Sequence, residues 1–316
     1  MSSEKKTSAR KIKFLSLNIF LRPPPIKTNG SDYKDLRTLY FCKHLMKKYD
    51  IICLQECFDS YSLRRKKIIH EGKHRNFQYH AVSPDPRWYD PHLIDGGLLI
   101  LSKYRILNQE FLPFEHEVFP DSVAYKGILY AKILIHGKNL HLFTTHLQSK
   151  HPTSNPDKYL EYREVRRAQV VQLREFIDSK IGDSNEPVVV AGDLNIDGRE
   201  TLKPPVFTEI ECMDDYQKFM EIMTKKNSLT DILRKKYGES PSTFGRVHEG
   251  EPLEVVLTHP EEVFWDESLD YILVENEAKG FRVDWNETRV NPLETPGEVF
   301  TQVSDHAGVQ TAFIID

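Results

Sequence analysis

The sequence predicts an α+β fold in which mixed or antiparallel sheets carry helices on their outer faces. Three observations predict it. Short β-branched and apolar runs recur along the 316 residues. Two segments show the three- and four-residue spacing of amphipathic helices. Many successive strands have no helix between them, whereas a doubly wound parallel sheet needs one at nearly every crossover.

The elements follow in order. Residues 1–10 are polar and read as a disordered tail. No change of composition divides residues 11–316, which read as one catalytic domain. The first strand is Ile12–Phe20. Arg22-Pro-Pro-Pro-Ile26 must be a rigid extended loop, because consecutive prolines supply no backbone donors. Asp35–Tyr49 reads as a helix with Leu39, Cys42, Met46 and Tyr49 on one face. Strands follow at Ile51–Gln55, Gly97–Ser102, Tyr130–Ile135 and Leu140–Thr145. A second helix covers about Tyr159–Lys180, with Val170, Leu173, Ile177 and Ile181 as its apolar stripe. Pro187–Ala191, Tyr271–Val274 and Gln310–Ile315 complete the strands. Residues 202–268 are polar and weakly periodic and are not assigned. Arg64-Arg-Lys-Lys67 and Arg234-Lys-Lys236 read as solvated helix faces.

Composition narrows the function. With 43 lysines and arginines against 47 acids the net charge is −4, which argues against a basic nucleic-acid wrapper. The basic residues nearest the site are Arg163, Arg166 and Arg167, on the second helix. Cys42, Cys53, Cys57 and Cys212 are too few for a disulfide scaffold and read as reduced. No secretory signal or long apolar run is visible, so the expectation is a soluble cytoplasmic protein that attaches to membranes peripherally. Trp88-Tyr89 and Phe264-Trp265 suit either lipid contact or burial as loop anchors.

Lone polar residues end or interrupt almost every apolar strand. They are Asn18, Glu56, His146, Asp193 with Asn195, Asp270, and Asp305-His306. Singly, each has a bland reading as a cap, a turn or a hydrogen-bonded core residue. Together, at converging strand ends, they make an oxygen-rich site suited to magnesium or manganese. Such a site serves phosphate-ester hydrolysis, with the cation on phosphoryl oxygens and a histidine completing proton transfer.

The stretches LSLNIF, DIICLQE, GGLLILSK, TTHLQS, VVVAGDLN, SLDYILV and VSDHAGV resemble the endonuclease/exonuclease/phosphatase superfamily, the DNase I-like fold. The Asp95-Gly96-Gly97 strand opening and the Asp121-x4-Lys126-Gly127 element are similar to those of neutral and bacterial sphingomyelinases. GDLNID and ESLDYI depart from the patterns of inositol phosphatases. The resemblance implies a four-layer α/β/β/α sandwich and a magnesium-dependent (or manganese-dependent) phosphodiesterase. It implies Glu56 as the main metal ligand, with Asn18 and Asp305 nearby. It implies His306 as general base oriented by Asp270, His146 on phosphoryl oxygens or the leaving alkoxide, and Asp193 and Asn195 on the water and the phosphate. Asp121 and Lys126 are further active-site candidates. The favoured substrate is sphingomyelin or a related phospholipid at a membrane surface. The rivals are a nuclease on the same fold and a catalytically silent binding homologue. Against the nuclease stands the absence of a basic run by the site; against the silent homologue, the presence of every expected site residue.

Overall fold

The computed structural model describes residues 10–27, 32–151, 155–199, 209–225, 229–245, 257, 265–275 and 280–315. Two sheets face each other. One has the order Phe281–Val283, Gly308–Ile315, Arg10–Asn18, Ile51–Gln55, Leu99–Ser102, Tyr79–Val82, with Arg289–Asn291 also on Gly308–Ile315. The other runs Leu229–Asp231, Asp270–Glu275, Val188–Asp193, Lys138–His146, Gly127–Ile135, Arg105–Pro113. Each sheet is antiparallel except for one central pair. Arg10–Asn18 runs parallel to Ile51–Gln55, and Lys138–His146 parallel to Val188–Asp193.

Side-chain alternation builds the layers. Ile12, Phe14, Ile51 and Cys53 point inward and meet Leu140, Leu142, Val189, Ala191, Ile272 and Val274 from the opposite sheet. The alternate residues, Leu15, Leu17, Ile52 and Leu54, point outward under the Phe41–Tyr49 segment. Val188, Val190 and Phe143 point outward under the Pro156–Ile181 helix and the Glu209–Met223 helix. The result is the expected α/β/β/α sandwich, with its central strands buried on both faces.

Several expectations need correction. The first helix is α only over Lys34–Tyr40, widens to a π turn at Phe41–Leu45 and tightens to 3-10 at Met46–Lys48. Leu39 lies on its exposed face; the buried face is Phe41, Cys42, Leu45, Met46 and Tyr49. The first strand stops at Asn18, because Phe20 takes a left-handed φ of 54°. The second helix starts earlier, at Pro156, where the Asn155 side chain caps Asp157 N–H at 3.0 Å. Arg65 is no solvated face residue: it is buried and donates to Asp95 Oδ1 at 2.8 Å. Arg234 covers the Tyr216 ring at 4.6 Å instead of standing in solvent. Trp88 is 94% and Tyr89 58% exposed, so neither is a buried anchor. Cys42, Cys53 and Cys57 are free buried thiols, and burial pushes the Cys42 thiol up to about 12. The 1–9 part of the expected tail, Phe264 and the Cys212 side chain lie outside the described residues.

Candidate active site

Five inward-facing rows end in a polar group on the same side of the sandwich. Ile12 and Phe14 lead to Asn18, Ile51 and Cys53 to Gln55, Leu140 and Leu142 to His146, Val189 and Ala191 to Asp193, and Ile272 and Val274 back to Asp270. Register completes the gathering. Asn18 stands beside Gln55, and Asp193 beside both His146 and Asp270. The carboxyl ends of the two parallel pairs therefore close one end of the inter-sheet core. Beneath them, Gln55 Nε2 donates across the sheets to Thr144 Oγ1 at 3.0 Å, a polar plug that sequence reading missed.

Glycine and positive φ shape the turns that follow. A Cβ at Gly192 would sit 2.1 Å from Thr145 O, so only glycine lets Asp193 reach the site in register. Glu56 (φ 50°) and Asn195 (φ 52°) both adopt left-handed backbone. For Asn195 this is tolerated; for Glu56 it is strain, of the kind that clusters at functional positions.

Short contacts connect the site. Asn18 Nδ2 donates to Glu56 Oε1 and to Asp193 Oδ2, both at 2.9 Å. Asp193 Oδ1 accepts from Asn195 N–H at 3.0 Å, and Asn195 Nδ2 donates to Leu147 O at 3.2 Å. The turn geometry and the site placement thus coexist in one residue pair. His146 Nε2 lies 3.5 Å and His306 Nε2 3.7 Å from Asp193 Oδ2. His306 Nδ1 is 2.8 Å from Asp270 Oδ2. Ser304 Oγ donates to Asn18 O at 2.5 Å and accepts from His306 N–H at 3.2 Å, with Asp305 Oδ1 3.1 Å away. Asp121 receives Lys126 Nζ at 2.6 Å, Ser149 N–H at 2.7 Å and His151 Nε2 at 2.9 Å. Lys126 Nζ also reaches Leu147 O at 3.1 Å, the carbonyl that Asn195 holds.

Burial and charge set the protonation states. Burial alone would strip the proton from His306, but the Asp270 and Asp193 carboxylates override it and raise its pKa well above the usual imidazole value. Burial raises Asp193, with His306 and Asn18 pulling against it. Burial and then the Lys126 charge lower His146 well below the usual value, so it is neutral. Burial works against the Asp121 carboxylate, yet Lys126 and His151 hold its pKa well below the usual range.

Two groupings can be tested against a cation. Asp193, Asp270 and His306 offer atoms within 4.8 Å of one another. There Asp270 already engages His306 Nδ1 at 2.8 Å, and the raised His306 pKa favours a proton on the ring that a metal would have to displace. Glu56 offers more. Its Oε2 is buried and has no hydrogen-bond partner among the described residues, the state of a carboxylate built for a hard cation. Asn18 turns its NH2 toward Glu56, because Phe20 N–H claims its Oδ1 at 3.1 Å. In this geometry it ties Glu56 to Asp193 and does not offer an oxygen. Asp305 Oδ1 is placed beside Ser304 Oγ at 3.1 Å.

Sequence reading also missed Arg37. This fully buried guanidinium donates to Ile19 O, Phe20 O, Asp32 O and Val303 O at 2.7–2.8 Å. It ties the loop after Asn18 to the segment before Ser304–His306. On a helix, an arginine gives no sign in sequence that it points inward.

The sequence profile of the Endonuclease/Exonuclease/phosphatase family matches residues 39–306. A sphingomyelinase of Dictyostelium discoideum is 31% identical over an alignment spanning 94% of this chain and 78% of that protein. The structure of beta toxin from Staphylococcus aureus superposes with a TM-score of 0.67 at 21% identity, covering 95% of this chain and 99% of the toxin. A variant of that toxin with bound magnesium ions superposes with a TM-score of 0.63 at 19% identity, covering 96% and 99%.

Proposed function

The chain belongs to the Endonuclease/Exonuclease/phosphatase family and is a phosphodiesterase, and from that premise we propose that it hydrolyses sphingomyelin or a related phospholipid at a membrane surface, using magnesium (or manganese) and releasing a lipid alcohol and the phosphorylated head group. The observation that carries the chemistry is the run of contacts from Glu56 through Asn18 and Asp193 to His306 and Asp270.

Glu56 would hold the cation, with Asn18 and Asp305 beside it. When bound, the cation supplies charge to phosphoryl oxygens and acidity to water. His306 takes the proton of the attacking water at Nε2, while Asp270 fixes the ring through Nδ1. Asp193 and Asn195 orient the water and the phosphate. Neutral His146 faces the phosphoryl oxygens or the leaving alkoxide, and Lys126, held by Asp121, adds a positive charge beside it.

Lipid is favoured over nucleic acid by how the helix arginines are used. Arg163 and Arg167 donate to Asp215 at 2.7 and 2.9 Å and so are engaged within the protein. A polyanion needs many free cations, whereas a choline phospholipid is net neutral. No helix among the described residues is long and apolar enough to cross a membrane. Exposed Trp88 and Tyr89 suit insertion at a lipid–water boundary.

The test compares initial rates on sphingomyelin in mixed micelles with those on plasmid and abasic-site DNA. It is run with magnesium and with chelator, with His306→Ala excluding contaminants. Magnesium-dependent release of phosphocholine, with far slower DNA cleavage, is expected. Mutant-sensitive DNA cleavage without lipid turnover would replace this reading with a nuclease.

A further inference from the structure

The turns at the cleft end carry an uneven share of exposed apolar surface. Strand register says which turns those are. Val82 and Leu99 pair at the level of Leu54, Pro113 and Gly127 pair next to Ile128 and Thr145, and Asn291 pairs with Gly308. Residues 56–63, 83–98, 114–126 and 292–307 therefore all emerge at the end where Glu56, His146 and His306 stand. Among the described residues, seven large apolar side chains are more than half exposed, at 58–94%. All seven sit on these turns: Tyr61 and Leu63 on the first, Trp88, Tyr89 and Leu93 on the second, Phe119 on the third and Val299 on the fourth. Elsewhere among the described residues no large apolar side chain exceeds 47%. Single exposed apolar residues need no explanation, but seven gathered on one end do.

Three of the turns are fastened to one another. Asp95 accepts from Asp59 and Ser60 N–H at 2.9 Å, Leu93 N–H donates to Val123 O at 2.8 Å, and His92 Nε2 meets Glu117 Oε2 at 2.9 Å. A face already held in shape loses little freedom on docking. Side chains projecting from separate turns suit a fluid surface better than a partner of fixed relief, and tryptophan and tyrosine favour the lipid–water boundary. Charge selects the lipid. Residues 83–98 and 114–126 hold six acids, Asp85, Asp90, Asp95, Glu115, Glu117 and Asp121, against two bases, Arg87 and Lys126. The basic run after Leu63 is mostly paired, Arg64 with Asp35, Arg65 with Asp95 and Lys66 with Asp59. Anionic lipid is held by clusters of lysine and arginine, which these turns do not supply; a choline lipid is net neutral and needs none.

We propose that this end of the sandwich is a docking face for a zwitterionic lipid surface, with Trp88, Tyr89, Leu93 and Phe119 seated among the head groups and the cleft facing the bilayer. This rests on the phospholipid reading above and adds to it the orientation of the protein and the class of lipid that holds it.

The test sediments the full chain, in chelator to stop turnover, with phosphatidylcholine vesicles prepared with and without phosphatidylserine. Trp88→Ser and Phe119→Ser should each weaken binding about 5–20-fold, the loss of one large apolar side chain from the interface, with unchanged unfolding midpoints. Leu107→Ser, at the far end of the sandwich, should bind like the wild type. Phosphatidylserine and added salt should change binding little. Wild-type affinity in a double variant, Trp88→Ser with Phe119→Ser, overturns the proposal, and so does binding that requires phosphatidylserine. A dimer that the double variant abolishes, in a protein that ignores vesicles, would give the face to a second copy and overturn it too. Turnover separates this proposal from the substrate reading. The double variant should lose activity on sphingomyelin vesicles and keep it on a short-chain choline phospholipid dissolved as monomers. Equal losses on vesicle and monomer would place the two side chains in the cleft and end the docking role. Vesicle binding by a wild-type protein that hydrolyses neither lipid would sink the substrate reading and leave the docking face.

Discussion

Two carboxylates on neighbouring loops, buried Asp95 and half-buried Glu56, are used in opposite ways. Asp95 is saturated: Oδ2 accepts from Asp59 N–H, Ser60 N–H and Ser60 Oγ, and Oδ1 from Gly97 N–H and Arg65 Nη1, all at 2.7–2.9 Å. Glu56 receives one donor, Asn18, and keeps Oε2 buried without a partner among the described residues. The loops touch, since Cys57 N–H donates to Gly97 O at 2.8 Å. A carboxylate has about four acceptor sites, so full occupancy marks a structural role and leftover capacity leaves room for a cation. The saturated loop holds the unsaturated residue in its strained backbone.

The largest expected effect tests the unsaturated side. Glu56→Gln should cost activity about 10³-fold or more, because the cation would lose its charged ligand. Its unfolding midpoint should be unchanged or slightly raised, since a buried oxygen without a donor is removed. Measuring magnesium-dependent turnover and thermal unfolding on one preparation checks both. A destabilised Glu56→Gln that still turns over would reverse the assignment of the two carboxylates.

The saturated side should respond the other way. Asp95→Asn replaces one acceptor oxygen with an NH2 that faces other donors, and it leaves the buried Arg65 guanidinium with only the exposed Asp85, 3.4 Å away, as counter-charge. Breaking a buried pair costs about 3–5 kcal/mol. Denaturant unfolding should show that loss, while turnover per folded molecule at low temperature stays near wild type. Intact stability with lost turnover would mean that Asp95 acts in the cleft.

The same accounting explains what could be read from sequence. Asn18, Glu56, His146, Asp193, Asp270 and His306 stand out because a polar residue at the end of an apolar run breaks a pattern, and their gathering follows from strand parity and register. Arg37, Arg65 and Arg166 break no pattern, since an arginine on a helix is ordinary whichever way it points. The cross-sheet bond from Gln55 to Thr144 depends on which strands face one another, which periodicity does not reveal. The Arg105–Pro113 strand was missed because it is a sheet edge, mostly exposed and rich in polar residues. The Glu209–Met223 helix was missed although Tyr216, Phe219, Met220 and Met223 recur at three- and four-residue spacing, because polar stretches surround it on both sides.

A smaller effect separates charge from contact inside the cleft. Asp270 and Asp193 raise the His306 pKa, and a base works only in its neutral form. Wild-type activity should therefore fall on the acid side from a pH above the ordinary imidazole value of 6.5. Asp270→Asn removes one negative charge, so the His306 pKa drops and the acid limb moves to lower pH. The limiting rate should fall as well, by about 10²-fold, because the amide does not fix the productive tautomer. A full pH–rate profile tells the two apart. An acid limb that stays in place would show that Asp270 does not set the charge of His306.

Glu117 sharpens the rule, because it also carries a leftover oxygen yet lies outside the cleft contacts. His92 Nε2 meets its Oε2 at 2.9 Å, and its Oε1 is buried with no partner among the described residues. Here burial pushes the carboxyl pKa up to about 8, against the pull of Lys126, so at neutral pH the group is an uncharged acid. An unpartnered oxygen on a neutral acid costs far less than one on a carboxylate, and it signals no cation. The sign of the linkage follows. The folded pKa exceeds the unfolded value of 4.5, so the unfolded chain releases the proton first as pH rises. The stability this group contributes is full below pH 4.5 and is lost progressively as pH approaches about 8. Glu117→Gln imitates the neutral acid at every pH and escapes that loss. It should match the wild type near pH 4.5 and exceed it by about 1–2 kcal/mol above pH 8, since relaxation softens the full 1.36 kcal/mol per pKa unit. Unfolding curves at the two pH values read the difference directly. A variant less stable than the wild type at the higher pH would mean that burial does not penalise the ionised Glu117, and an unpartnered buried oxygen would again have to be counted as a sign of chemistry.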